Sequence, residues 1–180
     1  MAIESVYWRE ELARIRKSLL PTKNPKRFSV RQLCIVERDT MLGFFIVRRL
    51  IELGRVGSKT RHHRIKVYKN APTKNVTWLN KYEFLENYNW KREQQELVPI
   101  LTLANQFIHC AVSSLCRDET RNWSEFFVFS DYEQKKSIFR VPVAAIAAAF
   151  DLAIRDWPSG TLTTIYNKEK KDFELIYVDD

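Results

Sequence analysis

The chain has 180 residues, which is enough for one buried core but too short for two large independent domains, so we expect a single domain over residues 1–180. A composition of 45% hydrophobic and 29% charged residues, with only 4 glycines and 6 prolines, excludes a disordered or linker-rich chain. The net charge of +8 is uneven: residues 1–75 carry 18 Lys or Arg against 6 Asp or Glu (net +12), and residues 76–180 carry 12 against 16 (net −4). This asymmetry predicts a polyanionic or acidic partner, or docking between the two halves of the chain.

The first two helices are predicted from residues that are typical of helix ends. An amphipathic helix is predicted over residues 4–20, and it ends before a proline. Ser29 followed by Gln32 is a capping-box pattern, which predicts a second helix from about Val30. Apolar residues continue to Leu53, and Gly54 is a typical C-terminal stop. The pattern leaves open whether residues 30–53 form one helix or two.

The middle of the chain contains its longest nearly uncharged run, from Leu97 to Cys116. Before it, alternating residues from His63 to Lys69 predict a half-buried strand, and residues 81–88 predict a short helix. The uncharged run predicts a central buried helix over about residues 93–116, with a narrow polar stripe. The stripe consists of Thr102, Gln106, His109 and Ser113, with Asn105 beside it. These polar residues favour a buried helix over a membrane span.

The last third of the sequence has patterns that predict four strands around one helix. Residues 126–130 and 137–141 form two strands, residues 143–155 an alanine-rich helix, and residues 161–167 and 173–178 a hairpin. This ββαββ order follows a mainly helical first part with one short strand, so we expect an α+β fold. Residues 1–120 would be the basic, mainly helical part and residues 121–180 the ββαββ part.

Asn105 and His109 are the first candidate site, because a four-residue step places both on one side of a helix. The segment ANQFIHC resembles the helix motif of the HEPN superfamily of ribonucleases and nucleotide-binding proteins: an arginine, often an asparagine, three residues and a histidine. Asn105 and His109 match it, and Ala104 stands in place of the arginine. The resemblance implies metal-independent RNA cleavage, with His109 as acid or base and Asn105 positioning phosphate. Arg48 or Arg49, from another helix, would have to supply the guanidinium.

The alternative for Asn105 and His109 is structural, as hydrogen-bonded polar groups at a helix interface. A metal site is not expected. The adjacent His62 and His63 would point to opposite faces of a strand, and the 3 cysteines lack CxxC spacing. We expect reduced thiols and no cofactor, as in a cytosolic protein. Three glutamates within the first eleven residues argue against a secretory signal there.

The basic stretch from Arg48 to Lys69 is the second candidate, as a surface for a phosphate backbone. Its candidate binding residues are Arg55, Lys59, Arg61, His62, Arg64, Lys66 and Lys69, and the candidates for base stacking are Trp78, Tyr82, Tyr88 and Trp90. The alternative is that the cations are a solvated surface and the aromatics are core.

The leading interpretation is a cytosolic, prokaryotic, non-enzymatic protein whose basic first half binds nucleic acid, RNA or DNA, or an acidic protein. Residues 126–129 and 173–178 are candidate surfaces for self-association. A metal-independent ribonuclease and an interaction or inhibitor protein that binds no nucleic acid are the alternatives.

Overall fold

The protein has an α+β fold in this computed structural model, which describes residues 2–25, 27–159, 161–169 and 171–178. Six helices lie in these ranges: α1 (Ala2–Leu19), α2 (Val30–Glu52), α3 (Ser58–Arg61), α4 (Phe84–Asn87), α5 (Ile100–Ile108) and α6 (Val143–Arg155). The seven strands in the same ranges are β1 (Arg64–Asn70), β2 (Gln94–Pro99), β3 (Cys110–Arg117), β4 (Trp123–Ser130), β5 (Ile138–Pro142), β6 (Thr161–Asn167) and β7 (Asp172–Val178). The predicted ββαββ order is therefore confirmed.

Five strands form one antiparallel sheet in the order β2-β1-β5-β4-β3. Strand β1 pairs with β2 on one side and with β5 on the other, so the sheet joins the first 120 residues to the ββαββ part. Strands β6 and β7 pair with each other as a separate hairpin.

The predicted ends of α2 are confirmed, and the structure shows one continuous helix. The Ser29 side chain accepts the Gln32 N–H (3.1 Å), and Gly54 follows the helix with a φ of 60°, in the left-handed region that favours glycine. Asp39 does not break the helix, because its buried carboxylate pairs with Arg14 (3.2 Å) and Arg38 (2.6 Å).

The main core lies between the helices and one face of the sheet, here called the helix face. Helices α5 and α6 contact the strands, while α1 packs on α6 and α2 packs on α5. Four phenylalanines connect these layers: Phe44 of α2 lies 4.5 Å from Phe107 and 5.0 Å from Phe150, and Phe107 lies 5.3 Å from Phe126 of β4 (ring centroids). Such aromatic contacts add to the burial of the rings, so they fix the position of α5, which carries part of the candidate site.

The opposite face of the sheet, here called the open face, is only partly covered. Residues 71–92 lie over it, with Tyr88 packed on Phe129 and Trp90 on Phe127. The part formed by β1 and β2 stays uncovered, and Lys66 and Leu97 are exposed there. No helix in the described ranges is both long enough and apolar enough to cross a membrane.

The predicted central helix over residues 93–116 is wrong, because this segment folds as β2, α5 and β3. Pro99 has no N–H and lies at the junction where β2 ends and α5 begins. The apolar run continues through these elements because α5 is buried under the helices and β3 pairs with β4. Residues 1–120 therefore contribute three described strands rather than one, and Ser113 lies on β3 instead of the predicted polar stripe.

Residues 126–129 are not an exposed surface for self-association. They belong to β4, which lies between β5 and β3, and they are buried. The other predicted surface, residues 173–178, lies on the separate hairpin, where Phe173 is exposed. Self-association through this hairpin stays a prediction.

Candidate functional site

An open cleft of about 700 Å³ lies between α2, the C-terminal end of α5 and the loop that connects β4 to β5. Arg48 enters it from α2, Asn105 from α5, His109 from the residue that follows α5, and Tyr132 from the loop. Arg48, Asn105 and His109, which the sequence analysis proposed as members of one candidate site, line one cleft.

Arg48 is positioned by two partners. Its Nη1 donates to Asn105 Oδ1 (3.1 Å), and its Nε donates to Glu52 Oε1 (2.7 Å). The hydrogen bond from Arg48 is the main reason why the pKa of Glu52 is lowered, so Glu52 is a carboxylate that balances the charge of Arg48. Arg49 instead donates to the other Glu52 oxygen (3.0 Å) and does not line this cleft.

His109 is where α5 ends. Its backbone N–H donates to the Asn105 carbonyl (3.0 Å), and its side chain is exposed in the cleft. Asn105 lies in the last turn of α5 and His109 directly follows the helix. The predicted arrangement of the two residues on one side of a long helix is therefore limited to this turn. The pair can contact a ligand together, because both side chains line the same opening.

The other wall of the cleft is the β4–β5 loop, which the sequence analysis did not include. The buried Gln106 side chain accepts the Ser130 N–H (3.0 Å), and the Ser130 hydroxyl accepts the Glu133 N–H (3.3 Å), so the loop is tied to α5. Asp131 and Glu133 place carboxylates in the cleft. The only signal in the sequence is the charged segment DYEQKK between two apolar strands.

The basic stretch divides between the two faces of the sheet. Arg64 and Lys66 are exposed on the open face of β1, where Tyr68 follows them. Lys69 lies on the helix face, pairs with Glu96 (2.8 Å) and lies 4.9 Å from the Phe139 ring. Lys69 therefore does not join Arg64 and Lys66 in one surface.

The segment before β1 adds two exposed side chains, Lys59 and His62, whereas Arg55 and Arg61 are half-buried. Asp156 at the end of α6 fixes this segment, because its carboxylate accepts the Thr60 N–H (2.7 Å) in α3. Lys59, His62, Arg64 and Lys66 thus form an exposed basic segment, here called the basic strip, that is anchored to the core.

Two of the four aromatic candidates are exposed. Trp78 and Tyr82 are 72% and 69% exposed, and the Lys81 ammonium lies 3.6 Å from the Trp78 ring centroid and 5.4 Å from that of Tyr82. Both belong to residues 71–92, which lie over the open face. They are therefore on the same side of the sheet as Arg64 and Lys66.

Tyr88 and Trp90 are not available for base stacking. Tyr88 is buried, its hydroxyl donates to the Gln134 carbonyl (2.7 Å), and burial raises its pKa. Trp90 is half-buried against Phe127, and its indole N–H donates to the Leu85 carbonyl (2.7 Å). Both are core residues, so the base-stacking expectation for them is wrong.

No group of three or more His, Cys, Asp or Glu side chains is arranged to hold a metal ion within the part of the chain that the structure describes. The three cysteines are free thiols, and burial raises the pKa of Cys110 and Cys116. The cleft and the basic strip contain most of the candidate site residues that the sequence analysis proposed.

The chain was compared with models of protein families, with curated proteins and with solved structures. None of the three comparisons finds a match. The function is therefore argued from the geometry and charge of the sites above.

Proposed function

We propose that the protein is a cytoplasmic nucleic-acid-binding protein that engages single strands through the open face of its sheet. The observation that carries the proposal is the row of Arg64 and Lys66 on the uncovered part of β1, with the exposed Trp78 and Tyr82 on the same side of the sheet. Cations neutralise backbone phosphates, and exposed aromatic rings stack on unpaired bases. Paired bases present no such ring faces, which is why we propose single strands rather than duplexes.

The electrostatics of the basic strip support this proposal. No described carboxylate lies within ion-pair distance of Lys59 or Lys66, whereas Lys69 and Lys74 are paired with Glu96 and Glu86. Arg64 donates only to a backbone carbonyl, that of Leu97 (3.3 Å). The strip therefore carries positive charge that the folded chain does not neutralise locally.

The test is the binding of labelled single-stranded RNA and duplex DNA across a salt series. The double variant Arg64→Gln/Lys66→Gln is expected to bind single-stranded RNA roughly tenfold more weakly, and the salt slope should fall by about 0.7 for each phosphate that the variant no longer neutralises. Lys135→Gln/Lys168→Gln removes the same charge from exposed positions elsewhere and is the matched control. Trp78→Ala/Tyr82→Ala should weaken binding to RNA more than binding to duplex DNA.

Equal weakening of binding in the two charge variants would contradict a specific role for the basic strip. No binding at low salt would exclude nucleic acid as the partner, and the strip would then be a docking surface for an acidic protein.

A second candidate function, metal-independent ribonuclease activity, is favoured by one observation: Arg48 donates to Asn105, and both line the cleft that contains His109. Cleavage by attack of the 2′-hydroxyl on phosphorus needs one group to take a proton and another to protonate the leaving 5′-oxygen. His109 would perform one of these transfers, and the carboxylates of Asp131 and Glu133 lie in the same cleft.

RNA incubated with the protein and a chelator, then run on a denaturing gel, tests this second function. His109→Ala is expected to lower cleavage by about 100-fold or more, whereas Lys168→Ala, at an exposed position outside the cleft and the basic strip, should not. RNA that stays intact with the wild-type protein contradicts the nuclease function and leaves the binding function unaffected.

A further inference from the structure

A separate, smaller cavity of about 250 Å³ lies between the loop that joins α1 to α2 and the turn that joins β3 to β4. It shares no lining residue with the His109 cleft and includes no residue of the basic strip. Its polar lining residues are Ser18, Thr22, Asn24, Gln32, Arg117, Arg121 and Asn122.

The first cation of this cavity, Arg117, is held in a fixed orientation. Its guanidinium carbon lies 4.1 Å from the Trp123 ring centroid and 5.7 Å from that of Phe28, and its Nη2 donates to the Gln32 side-chain oxygen (3.1 Å). A guanidinium that is stacked and hydrogen-bonded in this way holds its positive charge at a fixed position beside the cavity, where it can attract an anion.

The second cation, Arg121, lies in the β3–β4 turn with a φ of 64°. This left-handed conformation costs a residue other than glycine about 1 kcal/mol, and such conformations are found preferentially at functional sites. The turn is anchored across the cavity, because Asn122 accepts the Thr22 N–H (2.8 Å) and donates to the Thr22 carbonyl (3.3 Å). Arg121 is therefore held at the cavity by a fixed backbone.

The charge of the lining residues and the volume of the cavity limit the class of ligand that it can bind. The described residues that line the cavity include two arginines and neither aspartate nor glutamate. Asp118 of the β3–β4 turn does not line the cavity, and its carboxylate accepts hydrogen bonds from the Thr120 hydroxyl (2.6 Å) and the Asn122 N–H (3.1 Å) within the turn itself. A volume of about 250 Å³ admits a phosphate group on a small body but not a dinucleotide.

We propose that this cavity binds a phosphate monoester, with Arg117 and Arg121 as the two cations that attract it. Amide and hydroxyl groups of the lining, such as those of Asn24 and Thr22, would bind the remaining oxygens. The ligand would be either a free phosphorylated small molecule or the terminal phosphate of a nucleic-acid strand. The inference does not depend on the proposed function, because the basic strip and the His109 cleft use other residues.

The test is calorimetric titration of the full-length protein with ribose 5-phosphate, with ribose as the control ligand. We expect ribose 5-phosphate to bind and ribose not to bind. Arg121→Gly should weaken binding at least tenfold without lowering the melting temperature, because glycine adopts the left-handed φ without strain. Arg117→Lys keeps the charge but loses the planar group that stacks on Trp123, so the charge is no longer held in place, and this variant should also weaken binding.

Lys135→Gln, at an exposed position outside the cavity, is the matched control and should bind as the wild type does. Wild-type binding by Arg121→Gly, or no heat of binding with ribose 5-phosphate, would overturn the proposal. A 5′-phosphorylated oligoribonucleotide that binds more tightly than its 5′-hydroxyl form, with the same weakening in Arg121→Gly, identifies a strand end as the source. Equal binding of the two oligonucleotides, alongside binding of ribose 5-phosphate, identifies a free ester.

Discussion

The buried side chain of Arg9 connects three segments of the chain at one point. Its guanidinium donates to the carbonyls of Ala153, Ile154 (2.6 Å) and Asp156 (3.2 Å) at the end of α6, and to that of Arg55 (2.6 Å). It also lies 4.0 Å from the Trp157 ring. The last carbonyls of a helix have no partner within the helix, so a cation placed there both satisfies them and interacts favourably with the helix dipole.

Replacing Arg9 by methionine should therefore destabilise the fold strongly. The substitution keeps much of the buried volume but leaves several carbonyls without a donor, and we expect the free energy of unfolding to fall by about 3 kcal/mol. Urea denaturation measures this decrease. Arg27→Met, at an exposed position, is the control and should change stability by less than about 0.5 kcal/mol. Equal stability of the two variants would show that the α6 carbonyls are satisfied without Arg9.

The candidate cleft could be predicted only in part, because the sequence did not show which of Arg48 and Arg49 lines it or that the β4–β5 loop forms its other wall. Asn105 and His109 are related by their spacing in the sequence, whereas the hydrogen bond between Arg48 and Asn105 joins residues 57 positions apart. That hydrogen bond depends on how α2 packs on α5 through Phe44 and Phe107. Arg117 and Arg121 carried no recognisable pattern, because their cavity is closed by the α1–α2 loop, about 100 residues earlier in the chain.

At the scale of elements, the ends of α2 could be predicted from the sequence, but the secondary structure of the apolar run could not. The Ser29 cap and Gly54 act through neighbours in the sequence, so local chemistry was sufficient to place α2. Residues 97–116 are apolar because they are buried in the fold. A buried strand and a buried helix both require apolar residues, so this pattern does not distinguish them. Pairing of β3 with β4 decides between them, and this pairing is not visible in residues 110–117 alone.

Strand β3 lies at one edge of the five-stranded sheet, and Glu37 of α2 lies near the backbone of Leu115 in this strand. The Glu37 carboxylate accepts the Leu115 N–H, which lowers its pKa, but burial raises the pKa by more. A carboxyl whose pKa is higher in the folded than in the unfolded state stabilises the fold at low pH. That contribution disappears as the pH rises through the raised pKa.

Glu37→Gln is therefore expected to change the pH dependence of stability. Glutamine stays neutral at every pH and can still accept the Leu115 N–H, so the variant should match the wild type at acidic pH and exceed it at neutral pH. Urea denaturation over an acidic-to-neutral pH series measures the difference between the two proteins. Glu10→Gln, at an exposed position on α1, is the control. A Glu37→Gln variant that is less stable than the wild type at neutral pH would show that the charged form is favoured in the fold.

At the scale of the whole molecule, the fold separates the two candidate functions. The His109 cleft opens among α2, α5 and the β4–β5 loop, whereas the basic strip and the exposed aromatics lie on the open face of the sheet. The excess positive charge of residues 1–75 is only partly neutralised within the chain, since several of its cations pair with residues of later elements, as Arg16 does with Asp151 and Lys69 with Glu96. Ion pairs between the two halves therefore neutralise part of the charge asymmetry, and binding of a polyanion by the remainder stays a proposal.

The C-terminal hairpin should be dispensable for the stability of the rest of the chain. Strands β6 and β7 pair only with each other in the described residues, and no residue after Ile154 whose burial the structure describes belongs to either buried apolar cluster. The free energy of unfolding of a chain that ends at Ser159 is therefore expected to differ from that of the full chain by less than about 1 kcal/mol, because an isolated two-stranded hairpin is itself only marginally stable.

A chain that ends at Asp156 also lacks Trp157 and its packing on the buried Arg9, and it should be less stable by about a further 1–2 kcal/mol. Thermal and urea denaturation of the three chain lengths separate these steps, and non-cooperative unfolding of the chain that ends at Ser159 would show that the hairpin is required for the fold.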